Sequence, residues 1–436
     1  MNTGTVSLPE VYRSLAVPDG KRTSKWRMLL AFAGPGYLVS VGYMDPGNWA
    51  TDLAAGSQYG YKLLFVILLS SLMAMLLQAL ALKLGIATGR DLAQLCRDSY
   101  SDPVRWFLWA MAEIAIAACD LAEVIGSAIA LQLLFGIALP WGVCITAVDV
   151  LLILWLQQRG FRYLEALVIT LIAVISGCFL VEILFSQPEL APIAKNLFVP
   201  SVGILKDAGM LYIAMGILGA TVMPHNLYLH SAIVQTRDFT PTPEGRREAV
   251  RYALWDSNIA LTLALFVNAA ILVVAAAVFF RSGHHEVAEI QDAYKLLTPL
   301  LGMTGASTIF AIALLASGQS STLTGTLAGQ IVMEGFINIR LKPWQRRLLT
   351  RGIAIIPAIT AAFFYGASGT AKLLVFSQVI LSVQLSFAVF PLVVFTNDKA
   401  RMGEFVNPLW VKVLAWATAV VIAVLNGWLL VQLLRS

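Results

Sequence analysis

Eleven apolar runs alternate with short polar stretches along the chain, at about 28–57, 62–86, 104–134, 140–157, 164–186, 208–235, 250–280, 296–335, 347–366, 371–396 and 409–434. Each is long enough to cross about 30 Å of hydrocarbon as a helix, and a helix satisfies its own backbone polar groups in lipid. The run at 296–335 exceeds one straight span, so its first part is expected to lie along the surface, with the helix proper starting near Thr308. Two runs are interrupted. The first contains Asp45-Pro46-Gly47-Asn48, and the sixth contains Ala220-Thr221-Val222-Met223-Pro224-His225-Asn226. A proline removes a backbone donor and clashes with the preceding turn, so helix breaks are expected at Pro46, Gly47 and Pro224. Freed backbone groups at membrane depth are tolerated only where they face protein, water or a ligand. Paired interruptions of this kind point to a transporter's substrate site.

The polar connections give the topology. Arg13, Lys21, Arg22, Lys25 and Arg27 precede the first run, and the even-numbered connections carry most of the remaining Arg and Lys, including Arg90, Arg97, Arg159, Arg162, Arg237, Arg246, Arg247, Arg346, Arg347 and Arg401. By the positive-inside rule the N-terminus is cytoplasmic, and an odd number of spans leaves the C-terminus outside. The interruptions fall in segments 1 and 6, which open two successive groups of five. Five is odd, so the second group lies inverted relative to the first. The expected fold is therefore an all-α polytopic membrane protein with a LeuT-like inverted five-plus-five repeat and an additional eleventh helix. Its parts would be a cytoplasmic segment at 1–27, the repeats at 28–186 and 208–396, and the last helix at 409–434.

Composition agrees with this class. Of the 436 residues 58% are hydrophobic and 13% charged, against about 25% charged in ordinary soluble chains. The net charge of +5 is scattered between apolar runs, which leaves no basic stripe for nucleic acid. Cys96, Cys119, Cys144 and Cys178 stand singly, without zinc or redox spacing, and read as packing residues. No Asn-x-Ser/Thr sequon occurs, which favours a bacterial inner membrane. No obligate protein partner is evident.

The breaks carry the candidate chemistry. Asp45 offers an anionic oxygen, Asn48 an amide oxygen, and Gly42 and Ala220 backbone carbonyls, while Met223 offers a thioether sulfur. Oxygen together with sulfur favours a first-row transition cation such as manganese or iron over magnesium or calcium. Such an ion would be the transported substrate, with no resident cofactor. Gln378 in segment 10 could reach the site in a closed state, and Gln384 is a second amide in the same apolar helix. On segment 3, Glu113, Asp120 and Glu123 are spaced to share one helix face, as a proton relay would require. Asp45 and His225 are further candidates for the proton route. His230 reads as a packing or gate residue, and His284 and His285 as a solvated loop. Among Arg346, Arg347 and Arg351, one could serve as counter-ion to the acids. The small residues from Ala316 to Thr322, with Gly325, Ala328 and Gly329, read as close helix packing. A paired nucleophile and base for enzymatic chemistry is not found; an amino-acid carrier on the same fold and an ion channel remain the rival readings.

The segment 1 motif Asp45-Pro46-Gly47-Asn48, the segment 6 motif Met223-Pro224-His225 and the stretches Ala316–Thr322 and Gly325–Phe336 resemble the NRAMP divalent-metal transporters, in the bacterial manganese-importer branch. The resemblance covers nearly the whole chain. It implies proton-linked import of manganese or ferrous iron, with cadmium also accepted. By the same resemblance Asp45, Asn48 and Met223 would be metal ligands, with backbone carbonyls from segments 1 and 6. Asp120 and Glu123 would carry protons, with His225 nearby and Arg347 as basic partner. Magnesium-specialised relatives lack the methionine, and the magnesium transporter is the alternative within this group.

Overall fold

A computed structural model describes residues 6–18, 23–146, 159–285, 287, 289–339, 343–364 and 366–435. Among them two short strands, β1 (Leu15–Ala16) and β2 (Arg237–Asp238), pair in parallel. The remaining regular structure is helical. In the first half lie α1 (Lys25–Phe32), α2 (Pro35–Gly42), α3 (Pro46–Tyr59), α4 (Leu64–Thr88), α5 (Leu92–Ser99) and α6 (Asp102–Phe135). These are followed by α7, described at residues 139–146, and by α8 (Phe161–Ser186) and α9 (Leu190–Phe198). The second half holds α10 (Ala208–Thr221), α11 (Pro224–Ile233), α12 (Pro243–Ala275) with a π-helical turn at Ala276–Phe280, α13 (Ile290–Leu301), α14 (Ala306–Ile337), α15 (Pro343–Phe364) and α16 (Gly366–Asn397). The chain closes with α17 (Lys399–Met402) and α18 (Leu409–Arg435).

Eight stretches among the described residues are long and apolar enough to cross a membrane. The first, Pro46–Thr88, holds parts of two expected segments, divided at Gly60 with its positive φ. Ten of the eleven expected segments correspond to these stretches together with α15, while most of the fourth, expected at 140–157, lies outside the described residues. The long eighth run resolves as foreseen into a separate α13, which buries Ile290, Ala293 and Leu297, and a spanning helix that starts at Ala306.

The core forms where helices approach closely. Helices α6 and α14 make the most extensive contact, and α14 brings glycines to it. A Cβ on Gly318 would strike the Ser127 hydroxyl, and a Cβ on Gly126 would strike the ring of Pro46. The α3 half-helix is thereby held against this scaffold. Helix α12 packs along α2, α3 and α4 and joins the two halves of the fold.

The end of the bundle that carries the N-terminus is fastened by charge. Arg237 is 1% exposed and pairs with Glu165 at 2.7 Å. It also donates to the carbonyls of Ala31, Phe32 and Ala33, which are orphaned at the end of α1. Asp256 accepts from the amides of Gly34 at 3.1 Å and Gly36 at 2.7 Å, at the start of α2. Gly34 adopts φ +140°, and any side chain there would run into the Glu165 carboxyl. Residues 7–17 lie across the same end: Leu8 N–H donates to Glu334, Gln330 donates to Glu10, and β1 adds to β2.

Asp91 caps α5 there and accepts from the Gln94 amide. Burial pushes its carboxyl from 3.8 up to about 6, so the folded protein holds this proton more tightly than the unfolded chain. The linked stability is complete below 3.8 and is lost as pH rises through about 6. Asp91→Asn keeps the cap, and thermal unfolding in detergent is expected to lose that part of its pH dependence. An unaltered pH profile would count against the assignment.

Candidate metal site at the paired helix breaks

Both breaks are built alike. Helix α2 ends at Gly42, Asp45 caps the start of α3, and Pro46 occupies the first helical position. Helix α10 ends at Thr221, and Pro224 takes the same position in α11. Proline fits a helix start because its missing N–H would be an orphan in any case. The carbonyl ends of α2 and α10 carry negative partial charge toward the gap, which favours a cation.

The side chains converge in that gap. Asp45 Oδ1 accepts from the Asn48 backbone N–H at 2.8 Å and from Asn48 Nδ2 at 2.6 Å. The same Nδ2 lies 3.0 Å from the Ala220 carbonyl and 3.5 Å from that of Gly42. Asn268 Nδ2 donates to the Tyr43 carbonyl at 2.8 Å and to Asn48 Oδ1 at 3.3 Å. Met223 Sδ accepts from Asn226 Nδ2 at 3.6 Å, and a Cβ on Gly42 would lie 3.2 Å from that sulfur. Asp45, Met223, His225 and Asn226 are all 0% exposed. Asp45 Oδ2 has no hydrogen-bond partner among the described residues. The structure thus gathers Asp45, Asn48, Met223 and the Gly42 and Ala220 carbonyls at one buried point.

One detail differs from expectation. Asn48 turns its NH₂ group, not its oxygen, toward Asp45, Gly42 and Ala220. Three convergent oxygens repel one another, and the amide N–H groups supply the positive charge they lack. A cation would take over that role, and rotation of the amide would then offer it Oδ1.

Gln378 on α16 lies against the backbone of Gly47, where any side chain would overlap its amide group. Its Nε2 donates to Ser377 Oγ at 3.0 Å, and its Oε1 has no partner among the described residues. It borders the site without a hydrogen bond to Asp45 or Asn48. The backbone of α16 also presses on Gly219 of α10, so this helix wedges both half-helices. On the other side of the break, Gln78 Nε2 donates to the Tyr43 hydroxyl at 2.7 Å, and Gln78 Oε1 meets His230 Nδ1 at 2.9 Å. His230 therefore belongs to a chain beneath the site. Both ring nitrogens of His225 lack a partner among the described residues.

The acids of α6 divide. Asp120 and Glu123 are 4% and 0% exposed and both face Gly325 of α14. A Cβ on Gly325 would lie 3.0 Å from Glu123 Oε1 and 3.2 Å from Asp120 Oδ1. The two oxygens are thus no more than about 6 Å apart, the sum of these distances. Glu113 is half-buried and accepts from Trp109 Nε1 at 3.1 Å; it stands away from Gly325. The side chains of Arg346, Arg347 and Arg351 lie outside the described residues.

Three participants were given no role at the site from sequence. Asn268 is an amide in the middle of the seventh apolar run, ten residues beyond Asn258, and that mid-run position was the available signal. Asn226 echoes Asn48 two residues after its proline. Arg237 read as one more topology charge, and nothing local marked it as buried.

Among the described residues no three His, Cys, Asp or Glu side chains group as a metal cage. One carboxylate, amides, carbonyls and a thioether suit an ion that binds and leaves. The sequence matches the family described as "Natural resistance-associated macrophage protein-like" over residues 36–432. A Nostoc protein named "Divalent metal cation transporter MntH" is 65% identical over 426 residues, covering 98% of this chain and 96% of its own. A Listeria monocytogenes protein of the same name is 62% identical over 430 residues, covering 99% and 95%. The crystal structure of an Eremococcus coleocola manganese transporter superposes with TM-score 0.89 at 44% identity, covering 97% of this chain and 90% of that one. MhsT in complex with L-phenylalanine superposes with TM-score 0.63 at 12% identity, covering 91% and 97%, a likeness of fold alone. With its LeuT-like architecture and these relatives, the chain belongs to the Nramp family of membrane transporters for divalent metal cations.

Proposed function

We propose that the protein imports manganese or ferrous iron, with cadmium as an accepted alternative, and couples import to protons by alternating access. The observation that carries this reading is the buried meeting of a carboxylate, two carbonyls and the Met223 sulfur between the two helix breaks. The Eremococcus relative named a manganese transporter supports the choice of metal. Asp45, Asn48, Met223 and the carbonyls of Gly42 and Ala220 would hold the ion, and Gln378 would approach from α16. Protons would pass through Asp45, His225, Asp120 and Glu123, with Glu113 and Arg347 toward the cytoplasm. Repeats 28–186 and 208–396 would supply the moving and fixed helices, with 409–434 as an outer addition. In this reading the protein lies in a bacterial inner membrane, its N-terminus cytoplasmic and its C-terminus outside. The Arg237 cluster and the strand at 15–16 would then close the cytoplasmic side.

A thioether binds soft or borderline ions and adds little for calcium or magnesium, which prefer all-oxygen shells. Manganese uptake into proteoliposomes is expected to persist in wild type under excess calcium. In Met223→Ala, calcium is expected to compete. Equal calcium block of both proteins, or no manganese uptake by wild type, would refute the reading.

A further inference from the structure

Helix α14 meets a stripe of polar side chains on α6 through residues that have no side chain of their own. Ser127, Glu123 and Asp120 follow one another down one face of α6, at spacings of four and three. Gly318 and Gly325, seven apart on α14, meet the two ends of this stripe, Gly318 against Ser127 and Gly325 against both carboxyls. From Ala306 to Met333 α14 contributes no ionisable side chain. On α6 itself, Cys119 Sγ donates to Glu123 Oε1 at 3.4 Å. The α15 arginines lie outside the described residues. Two carboxylates within about 6 Å of each other and away from water disfavour being ionised together, and a proton taken up by either one relieves the repulsion.

We propose that Gly325 is a positioning residue of the proton route: its missing side chain lets Asp120 and Glu123 rest side by side against α14. This deepens the proposed function and rests on its assignment of the two acids as proton carriers. A methyl group at 3.0 to 3.2 Å from both carboxylates must push at least one of them away. Packing alone would also accept a glycine here, but it would not make proton movement the property that fails first. The metal ligands lie at the helix breaks, and none of them is among the atoms nearest Gly325.

The test uses the purified protein in proteoliposomes, reading manganese-driven proton flux with a pH-sensitive dye and manganese Kd by calorimetry. Gly325→Ala is expected to lower proton flux at least about tenfold, as displacement of a proton-transfer group by a fraction of an ångström can, while Kd stays within about twofold. Adding Glu123→Asp, which shortens the crowded side chain, is expected to restore much of the flux. If Gly325→Ala keeps wild-type flux while Asp120→Asn with Glu123→Gln loses it, Gly325 has no positioning role and the route stands. If the carboxylate variants also keep wild-type flux, the route itself fails. Equal loss of metal affinity and flux, no rescue by Glu123→Asp, or failure of both Gly325 variants to fold would assign the glycine to packing and overturn the proposal.

Discussion

Asp45→Asn is expected to reduce manganese uptake by at least about a hundredfold while the protein remains folded. The asparagine keeps the shape and an acceptor oxygen for the Asn48 amide, and it caps a helix start as well as aspartate does. What disappears is the only full negative charge in the donor set, since Asn48, Met223 and the two carbonyls are neutral. Loss of an anionic ligand at a water-poor site costs about 3 kcal/mol or more in metal binding, equivalent to roughly two factors of ten. Stability should hold or rise, because a buried charge without a full set of partners is itself costly. Uptake and thermal unfolding, measured together on the same preparation, separate the two effects. Uptake within about threefold of wild type would show that the carboxylate is not a ligand.

Arg237→Ala is expected to be the most destabilising single change at the N-terminal end. It strands Glu165 in the interior, with only the partly exposed Arg162 at 3.1 Å still beside it, and it takes the side-chain donor from the Phe32 carbonyl, while the Ala31 and Ala33 carbonyls at the end of α1 are left to Arg162 alone. Removing one partner of a buried ion pair costs about 3 to 5 kcal/mol, whereas replacing both by apolar residues of similar volume is often neutral. Arg237→Met with Glu165→Met should therefore recover part of the thermal stability that Arg237→Ala loses. A loss no greater than that of Arg281→Ala, an exposed arginine, would remove Arg237 from this role. If the cluster closes the cytoplasmic gate, the double variant should also favour the inward-open form, readable as faster labelling of a cysteine introduced beside Tyr43.

Much of this was legible in the chain because membrane sequences carry strong, local signals. A proline and a carboxylate inside an apolar run announce a break whatever surrounds them, and the two breaks fell at Asp45–Pro46 and Met223–Pro224 as read. The donor types proposed for the metal were read from the same residues. What stayed hidden depends on partners far apart in sequence. The orientation of the Asn48 amide is decided by Ala220 and Asn268, which the chain places more than 170 positions away. Arg237 looks like any basic loop residue until Glu165 is seen against it. The stripe of Glu113, Asp120 and Glu123 was drawn from spacing alone, and the position of Gly325 on another helix selects the last two. Gly325 itself was indistinguishable from the other small residues of its helix.

The most direct test of the metal site is X-ray absorption at the manganese edge on purified protein loaded with one equivalent of metal, compared with Met223→Ala. The expected result is a mixed oxygen shell with a single sulfur scatterer in the wild type, and the loss of that sulfur in the variant. An all-oxygen shell in the wild type would contradict a site built around Asp45 and Met223.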